Sequence, residues 1–256
     1  MSTKIIAVAN QKGGVAKTTT TSNVAAILAS KHGYKVLCID MDPQANLTDN
    51  SAADQNKALD DVLRGKLLIS ECIQHTKNYD ILASSISLAA MEQEMMGMMG
   101  RECKLDEAIQ SDPKMKEYDY ILIDTPPALG NLTVASLVAA QKVIIPTMAD
   151  ANSTRGIYQL GQTISNVRKY FNKNLEIVGI LFTRYNPRLK ISQAIAPMAK
   201  KIANMLDTDV FETFIRQATV VSEASYVRQS VTEWEKKSTV AQDYDSLVAE
   251  LLSKKI

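Results

Sequence analysis

The sequence is poor in the residues that several common kinds of site require. It contains three cysteines and two histidines in 256 residues. Cys38, Cys72 and Cys103 are odd in number and far apart, which argues against a disulfide framework and against a cysteine-based metal cluster. His32 and His75 stand alone, which argues against a histidine zinc site and against a Ser-His-Asp triad.

The sequence also lacks an excess of charge and any long apolar run. Lys and Arg total 29 against 28 for Asp and Glu, so a nucleic-acid site would have to be a local basic patch. No apolar run approaches the roughly 20 residues that cross a membrane. No secretory signal pattern precedes the first apolar segment. We therefore expect a cytoplasmic protein with no membrane partner, folded as a single domain over residues 1–256.

Short apolar runs alternate with helical patterns along most of the chain. The runs are nearly continuous in apolar residues, as is typical of strands that are covered on both faces. The predicted strands are residues 5–9, 35–40, 79–82, 118–124, 142–146 and 176–183. This alternation predicts an α/β fold, a doubly wound and mostly parallel sheet flanked by helices.

Four helices are predicted from periodicity and from residues that end helices. They cover residues 18–31 (ending at Gly33), 157–171, 191–206 (kinked or split at Pro197) and 240–251. Residues 48–115 are the least regular part of the chain. Five methionines lie between Met91 and Met99, and a helix that packs them into the core is favoured over an adaptable contact surface.

A phosphate-binding loop is predicted between the first strand and the first helix. Residues 10–21 read Asn-Gln-Lys-Gly-Gly-Val-Ala-Lys-Thr-Thr-Thr-Thr. Glycines allow a tight turn that points backbone N–H groups at an anion, and the helix N-terminus adds free donors. Lys17 would reach the β- and γ-phosphates, and Thr18 would hold Mg²⁺. ATP and Mg²⁺ are thus the predicted cofactors.

The loop departs from the strict phosphate-loop pattern at two positions. Gln11 and Ala16 stand where that pattern has glycine. We expect Ala16 to be tolerated if its φ is negative. A second lysine, Lys12, precedes the two glycines, and residues 12–19 resemble the deviant Walker A motif, whose first lysine marks one class of ATPases.

Carboxylates follow two of the predicted strands and would complete the site. Asp40 and Asp42 follow one strand, and Asp124 ends another. Ligands of parallel sheets collect at the carboxyl ends of strands, so these groups are expected beside the phosphate loop. Asp124 fits the Walker B role near Mg²⁺. Of Asp40 and Asp42, one could support the metal and the other could hold the attacking water.

Three motifs together resemble the ParA-type ATPases of plasmid and chromosome partitioning, in the wider group that includes MinD. The resembling segments are residues 12–19, 40–48 and 123–127, with further similarity at 215–216, 222–224, 237–238 and 241–244. The resemblance spans most of the chain and is weakest over residues 50–115.

The resemblance implies roles for individual residues. Lys17 would hold the β- and γ-phosphates, Thr19 would contact the α-phosphate, and Asp42 would orient the hydrolytic water. Thr18 would ligate Mg²⁺, and Asp124 would lie beside the metal without ligating it directly. Asp40 is a further metal candidate because of its place beside Asp42. Lys12 would reach across a homodimer interface to the partner's phosphates. The cofactor-binding loop as a whole would comprise Lys12, Gly13, Gly14, Val15, Ala16, Lys17, Thr18 and Thr19.

The resemblance also implies that the ATP-bound dimer binds double-stranded DNA without sequence preference. Such binding requires cations that face phosphates. Candidates are Arg184, Arg188, Lys190, Arg216, Arg228, Lys236 and Lys237. Arg188, Arg216 and Lys237 match positions where the family has basic DNA contacts, although any of them can also be an ordinary solvated surface cation.

The sequence therefore predicts an ATPase switch. ATP would close the homodimer on nucleoid DNA, and a ParB-type adaptor would trigger slow hydrolysis and release. Two alternatives stay open: a MinD-like or protein-cargo positioning ATPase, and a scaffold that binds ATP with negligible hydrolysis. A short C-terminal helix that belongs to the core makes membrane recruitment the weaker alternative.

Overall fold

The computed structural model describes residues 3–55, 59–150 and 153–256. Within these ranges the strands form one seven-stranded sheet with the order β3-β4-β2-β5-β1-β6-β7. All neighbouring pairs are parallel except β3 and β4, which are antiparallel at one edge. The strands are β1 Lys4–Val8, β2 Val36–Asp40, β3 Ile73–His75, β4 Asp80–Leu82, β5 Tyr120–Asp124, β6 Lys142–Thr147 and β7 Glu176–Phe182.

Twelve α-helices connect and cover these strands in the described ranges. They are α1 Lys17–His32, α2 Asn46–Asn50, α3 Leu59–Leu63, α4 Ile69–Cys72, α5 Ser87–Met95, α6 Lys104–Ser111, α7 Asn131–Ala139, α8 Ser153–Tyr170, α9 Lys190–Met205, α10 Val220–Tyr226, α11 Val231–Trp234 and α12 Thr239–Ser253. Two short 3₁₀ segments precede α6 and β5.

The sheet has a hydrophobic core on each face because its central strands are buried on both sides. Successive residues of a strand point to opposite faces. Ile5 of β1 packs in the core formed with α3 and α5–α8, whereas Ile6 packs in the core formed with α1 and α10–α12. The alternating order of strands and helices and the near-continuous apolar runs therefore led to the right fold class.

The register of the central strands brings two predicted site residues together. Asp124 at the end of β5 is paired with Asp40 of β2 on one side and with Val8 of β1 on the other. The phosphate loop leaves β1 directly after Val8. Both aspartates therefore lie at the carboxyl edge of the sheet, next to that loop.

Two details of the helices differ from expectation. Helix α9 is continuous through Pro197 and is not split. Pro197 is exposed, so water can satisfy the carbonyl that loses its helical partner. The methionine segment is divided: Met91 and Met95 of α5 are fully buried, whereas Met99 is 95% exposed. Packing into the core is confirmed for Met91 and Met95, and the partly buried Met98 packs against the same core.

Candidate functional site

The loop between β1 and α1 is held by contacts with the ends of β6 and β7. The side-chain amide of Asn10 donates to the carbonyl of Pro146 at 2.6 Å, and its oxygen accepts from the backbone N–H of Lys12 at 3.0 Å. The buried carbonyl of Val15 accepts from the hydroxyl of Thr183 at 3.0 Å. These bonds fix the loop's backbone, and Gly13 and Gly14 between them stay exposed.

Two residues of the loop adopt left-handed backbone conformations. Gly14 has a φ of 73° and Ala16, directly before α1, has a φ of 63°. The condition under which we expected Ala16 to be tolerated, a negative φ, is therefore not met. The strict pattern has glycine here because the turn into the helix needs this conformation, which costs an L-residue about 1–2 kcal/mol. The folded protein therefore carries this backbone strain at Ala16.

The N-terminus of α1 is open to an anion. Ala16 has no side-chain oxygen to cap the helix, and the first turn contains no acidic residue. The N–H groups of that turn have no partner within the helix, and the helix dipole adds positive potential there. A 16-residue helix that begins this way at a rigid loop is the geometry of a phosphate site.

Lys17 lies inside the site rather than on the surface. It is 7% exposed, and its ammonium group donates to the carbonyl of Lys12 at 3.3 Å. Burial lowers the pKa of Lys17, while Asp124 and Asp42 oppose that shift. A cation kept in this position is suited to meet phosphate oxygens.

Asp124 and Thr18 present oxygen atoms at the same point. The Thr18 hydroxyl donates to Asp124 Oδ2 at 2.6 Å, and the Thr21 hydroxyl lies 3.4 Å from Oδ1. Burial, with a smaller contribution from the Asp40 charge, raises the pKa of Asp124 to about 8. The hydroxyl and carboxylate oxygens at this point, with the carboxylates of Asp40 and Asp42 nearby, fit Mg²⁺, which prefers oxygen ligands. The fit agrees with the predicted positions of Thr18 and Asp124.

Asp40 and Asp42 have different surroundings although they are two residues apart. Asp40 is fully buried, and burial raises its pKa to about 6. Its Oδ2 accepts from the backbone N–H and the hydroxyl of Thr48, and its Oδ1 accepts from the N–H of Asp42. The prediction that Asp40 ligates the metal has no support in this geometry, because both of its oxygens bind the chain's own loop.

Asp42 is the carboxylate of that pair that lines the cleft. It is 8% exposed, and its Oδ1 accepts from the backbone N–H of Gln44 at 2.9 Å. Its backbone carbonyl accepts from the Ser84 hydroxyl at 2.7 Å. The loop after β2 therefore holds Asp42 facing the phosphate loop.

Lys12 forms an ion pair within its own chain. Its ammonium group contacts Asp150, in the segment between β6 and α8, and the two side chains are 32% and 33% exposed. Asp150 also accepts from the N–H and the hydroxyl of Ser153, at 3.1 and 3.0 Å. Sequence reasoning missed Asp150. Its place shortly after a strand, at the carboxyl edge that holds the other carboxylates, was the available signal.

The phosphate loop forms one side of a cleft of about 1030 Å³. Asp42 and α2 contribute to its lining. Further lining comes from Pro127, from Arg184, from a segment that begins at Ile215 and includes α10, and from Tyr244 of α12. Tyr244 is buried, and its hydroxyl lies 3.3 Å from that of Thr20 in α1. Sequence reasoning found the loop and Asp42 but did not predict the other residues that line the cleft.

The three predicted DNA contacts are in different settings. Arg188 is exposed in the loop before α9, and Lys237 is exposed in the turn before α12. Arg216 lines the cleft, and its guanidinium binds Asp243 through Nε and Nη2, the shortest bond being 2.6 Å. The structure does not bring the three together in one cluster at the cleft.

Two other features are absent from the described residues. No cluster of three or more histidine, cysteine or acidic side chains is arranged to hold a metal ion. Among the described helices, none has the length and apolar character needed to span a bilayer.

Comparison with known proteins identifies the family. The family described as an AAA domain matches residues 3–177. The sporulation initiation inhibitor protein Soj of Bacillus subtilis is 34% identical over 253 residues, covering 97% of this chain and 98% of Soj. The chromosome partitioning protein ParA of Caulobacter vibrioides is 32% identical, covering 98% of this chain and 94% of ParA. The chain belongs to the ParA/Soj family of P-loop ATPases.

Solved structures have the same fold. Cobyrinic acid a,c-diamide synthase from Mycobacterium smegmatis is 31% identical, with a TM-score of 0.83, over 98% of this chain and 94% of that one. A second structure of it contains ADP and magnesium. The septum site-determining protein MinD from Pyrococcus horikoshii, complexed with Mg-ADP, is 26% identical with a TM-score of 0.79, over 97% and 96% of the chains.

Proposed function

We propose that this ParA/Soj-family chain is a DNA-partition ATPase. ATP and Mg²⁺ bind in the cleft beside the phosphate loop, and the ATP-bound homodimer binds double-stranded DNA without sequence preference. A ParB-type adaptor stimulates hydrolysis and thereby release. The observation that carries this proposal is the open N-terminus of α1 with one lysine on each side of the glycine turn, Lys17 buried in the cleft and Lys12 at its edge.

The residues that would hold the nucleotide's phosphates are those of the loop itself. The N–H groups at the start of α1 would donate to phosphate oxygens, and Lys17 would contact the β- and γ-phosphates. Thr18 and Asp124 would hold Mg²⁺, which neutralises phosphate charge when bound. Their oxygens are already 2.6 Å apart. Thr19, in the same first turn, would contact the α-phosphate.

Asp42 is the candidate for orienting the hydrolytic water. It lines the cleft, and Gln44 and Ser84 hold its loop through hydrogen bonds. A carboxylate that accepts a proton from water, or aligns it, typically contributes about 10²- to 10⁴-fold to a rate. Asp40 supports this role indirectly, because it binds the N–H of Asp42.

Lys12 is the residue that would join two chains. Two bound triphosphates facing each other concentrate negative charge, and one cation from each chain would offset it. In the structure the ammonium group of Lys12 is ion-paired with Asp150, and about one-third of each side chain is exposed. Exposed ion pairs contribute only about 0–1 kcal/mol, so exchanging Asp150 for a partner's phosphate has a small energetic cost.

The direct test measures assembly and DNA retention in different nucleotide states. Sizing chromatography with light scattering should show a dimer with ATP and Mg²⁺ and a monomer with ADP. DNA retention should require ATP and weaken steeply with salt. Lys12→Ala should abolish the dimer and the retention. Lys31→Ala is the matched control, because it removes a lysine that is also ion-paired, at the far end of the helix that follows the loop.

Two outcomes would overturn the proposal. One is DNA retention that is equal with and without ATP. The other is an ATP-bound chain that stays monomeric at concentrations where its nucleotide site is saturated. Phosphate release with DNA and an adaptor encoded beside this gene tests the scaffold alternative, which predicts none. A positioning ATPase for a protein cargo would instead dimerise with ATP and leave DNA unbound.

A further inference from the structure

Helix α9 packs into the core through one of its faces. The side chains on that face recur every three or four residues, as in any helix that covers a sheet. They pack in two hydrophobic clusters and comprise Ile195, Ala196, Ala199, Ile202 and Ala203. The other faces of α9 are therefore not needed to hold the helix in place.

A second group of apolar side chains runs along α9 outside the core. Ile191, Met198 and Met205 are 46%, 54% and 70% exposed. They are spaced by seven residues, so they form one row along the helix, with a drift of about 20° per step. Ala194 and Lys201, also exposed, form a second row beside it. Rows at positions a and d of a heptad are the surface by which helices pair in coiled coils. We call these five residues the α9 seam.

The α9 seam lies on a helix that carries only positive charge. Helix α9 contains Lys190, Lys200 and Lys201 and no acidic residue, and Asp207 follows beyond its last residue. In the ranges that the structure describes, none of the three lysines has a carboxylate within salt-bridge distance. Lys201 is part of the seam itself. A partner that covers it must present an anionic group, because a buried charge without a partner is costly.

These features discriminate among the candidate occupants of the seam. A second copy of α9 would bring lysine against lysine in either orientation, since the helix has no negative charge to offer. A helix that lies in a membrane surface needs a broad apolar face, but the broad face of α9 is used in the core. DNA phosphates require cations and gain nothing from a row of exposed isoleucine and methionine.

We propose that the α9 seam is a docking site for an acidic amphipathic helix of a partner protein. The partner's apolar side chains would pack on the row that begins at Ile191, and one of its carboxylates would face Lys201. This is helix-to-helix recognition through anchors at heptad spacing. The proposal rests on neither nucleotide nor DNA binding. Its test therefore uses the nucleotide-free protein and can fail while the proposed function holds.

The first experiment measures whether the seam selects negative charge. The probes are two designed peptides of roughly 21 residues, or three heptads, with leucine at positions a and d. One has glutamate at positions e and g, and the other has lysine there. Fluorescence anisotropy at low salt should show saturable binding of the glutamate peptide, with the lysine peptide at least about tenfold weaker. Lys201→Glu should reverse this preference. Lys116→Glu, an exposed lysine in the segment before β5, is the matched control and should keep it.

The second experiment removes the apolar row without changing the charge. The double variant Met198→Ser, Met205→Ser should weaken binding of the glutamate peptide at least about tenfold. Met96→Ser, Met99→Ser is the matched control, because these methionines are 63% and 95% exposed and lie outside α9. All four side chains are more than half exposed, so both double variants should fold, and thermal unfolding checks this. If the seam variant does not fold, Lys201→Glu still decides the proposal.

Three results of these experiments would overturn the proposal. They are no binding of the glutamate peptide, equal binding of the lysine peptide, and equal affinity of the two double variants. Three assays on the same double variants test the other occupants: sedimentation with phosphatidylglycerol vesicles, DNA retention with ATP, and sedimentation equilibrium of the protein alone. A loss confined to the seam variant in any of them would assign the seam to a membrane, to DNA or to a second copy, and would also overturn the proposal.

Discussion

Replacing Ala16 with glycine should stabilise the protein, although glycine in place of alanine usually destabilises. Ala16 has a φ of 63° and precedes α1. Relieving the left-handed conformation of an L-residue returns about 1–2 kcal/mol. The added freedom of the unfolded chain removes about 0.4–1 kcal/mol, and loss of a half-buried methyl removes a fraction of about 0.8 kcal/mol. The net gain expected is about 0.5 kcal/mol.

The same chemical change elsewhere should have the opposite sign. Ala249 is exposed in the interior of α12, where Ala249→Gly should cost about 1 kcal/mol. Ala45 tests how much the lost burial of the methyl group contributes. Its φ is 54°, but its methyl is 2% exposed, so strain relief and lost burial nearly cancel in Ala45→Gly. From the most to the least stable, the expected order is therefore Ala16→Gly, Ala45→Gly and Ala249→Gly.

Equilibrium urea unfolding of the nucleotide-free protein measures these differences. With an m-value of about 3 kcal/mol per molar, the midpoints of Ala16→Gly and Ala249→Gly should differ by about 0.5 M. The wild-type midpoint should lie between them. If Ala16→Gly lowers the midpoint as far as Ala249→Gly does, the backbone at residue 16 is not strained and the reasoning is refuted.

Three further predictions concern the site and the core. Asp150→Asn should favour the ATP-bound dimer by releasing Lys12, and sizing at limiting protein concentration checks this; an unchanged dimer fraction would contradict it. Burial raises the pKa of Asp124 to about 8, above its unfolded value, so the metal-free protein should lose stability as pH rises from 4 to 8. Asp124→Asn should flatten that decline in urea midpoints, and an equally steep decline would count against it. Gly161→Ala would place a methyl 2.4 Å from Cδ2 of Leu206, the end of a flexible side chain that can shift, and alanine gains about 1 kcal/mol over glycine inside a helix, so we expect a net loss below about 1 kcal/mol, measured by thermal unfolding.

Prediction of the phosphate loop and of the carboxyl edge succeeded because both depend on local order in the chain. A strand followed by a glycine turn and a helix places Lys17 and Thr18 in the first turn of that helix, wherever the unit lies in the fold. Parallel strands that end in aspartate bring their side chains to one edge of the sheet. The register confirms this for Asp40 and Asp124.

Prediction failed where the answer depends on contacts between distant segments. The sequence does not show whether Ala16 keeps the left-handed conformation of the glycine that it replaces. In the structure it does, in a loop that Asn10 and Val15 tie to Pro146 and Thr183, far along the chain. Asp40 cannot be told from Asp42 by spacing, and only the packing of Thr48 against it shows which carboxylate the loop uses.

The sequence by itself determined the α/β class, the phosphate loop and the edge at which the site lies, because strand and helix periods and glycine turns act over a few residues. Only the tertiary structure decided which charges are neutralised. Asp150 meets Lys12 and Asp243 meets Arg216 across 138 and 27 residues. Electrostatic interaction depends on distance in space, and folding sets that distance for residues that the sequence separates.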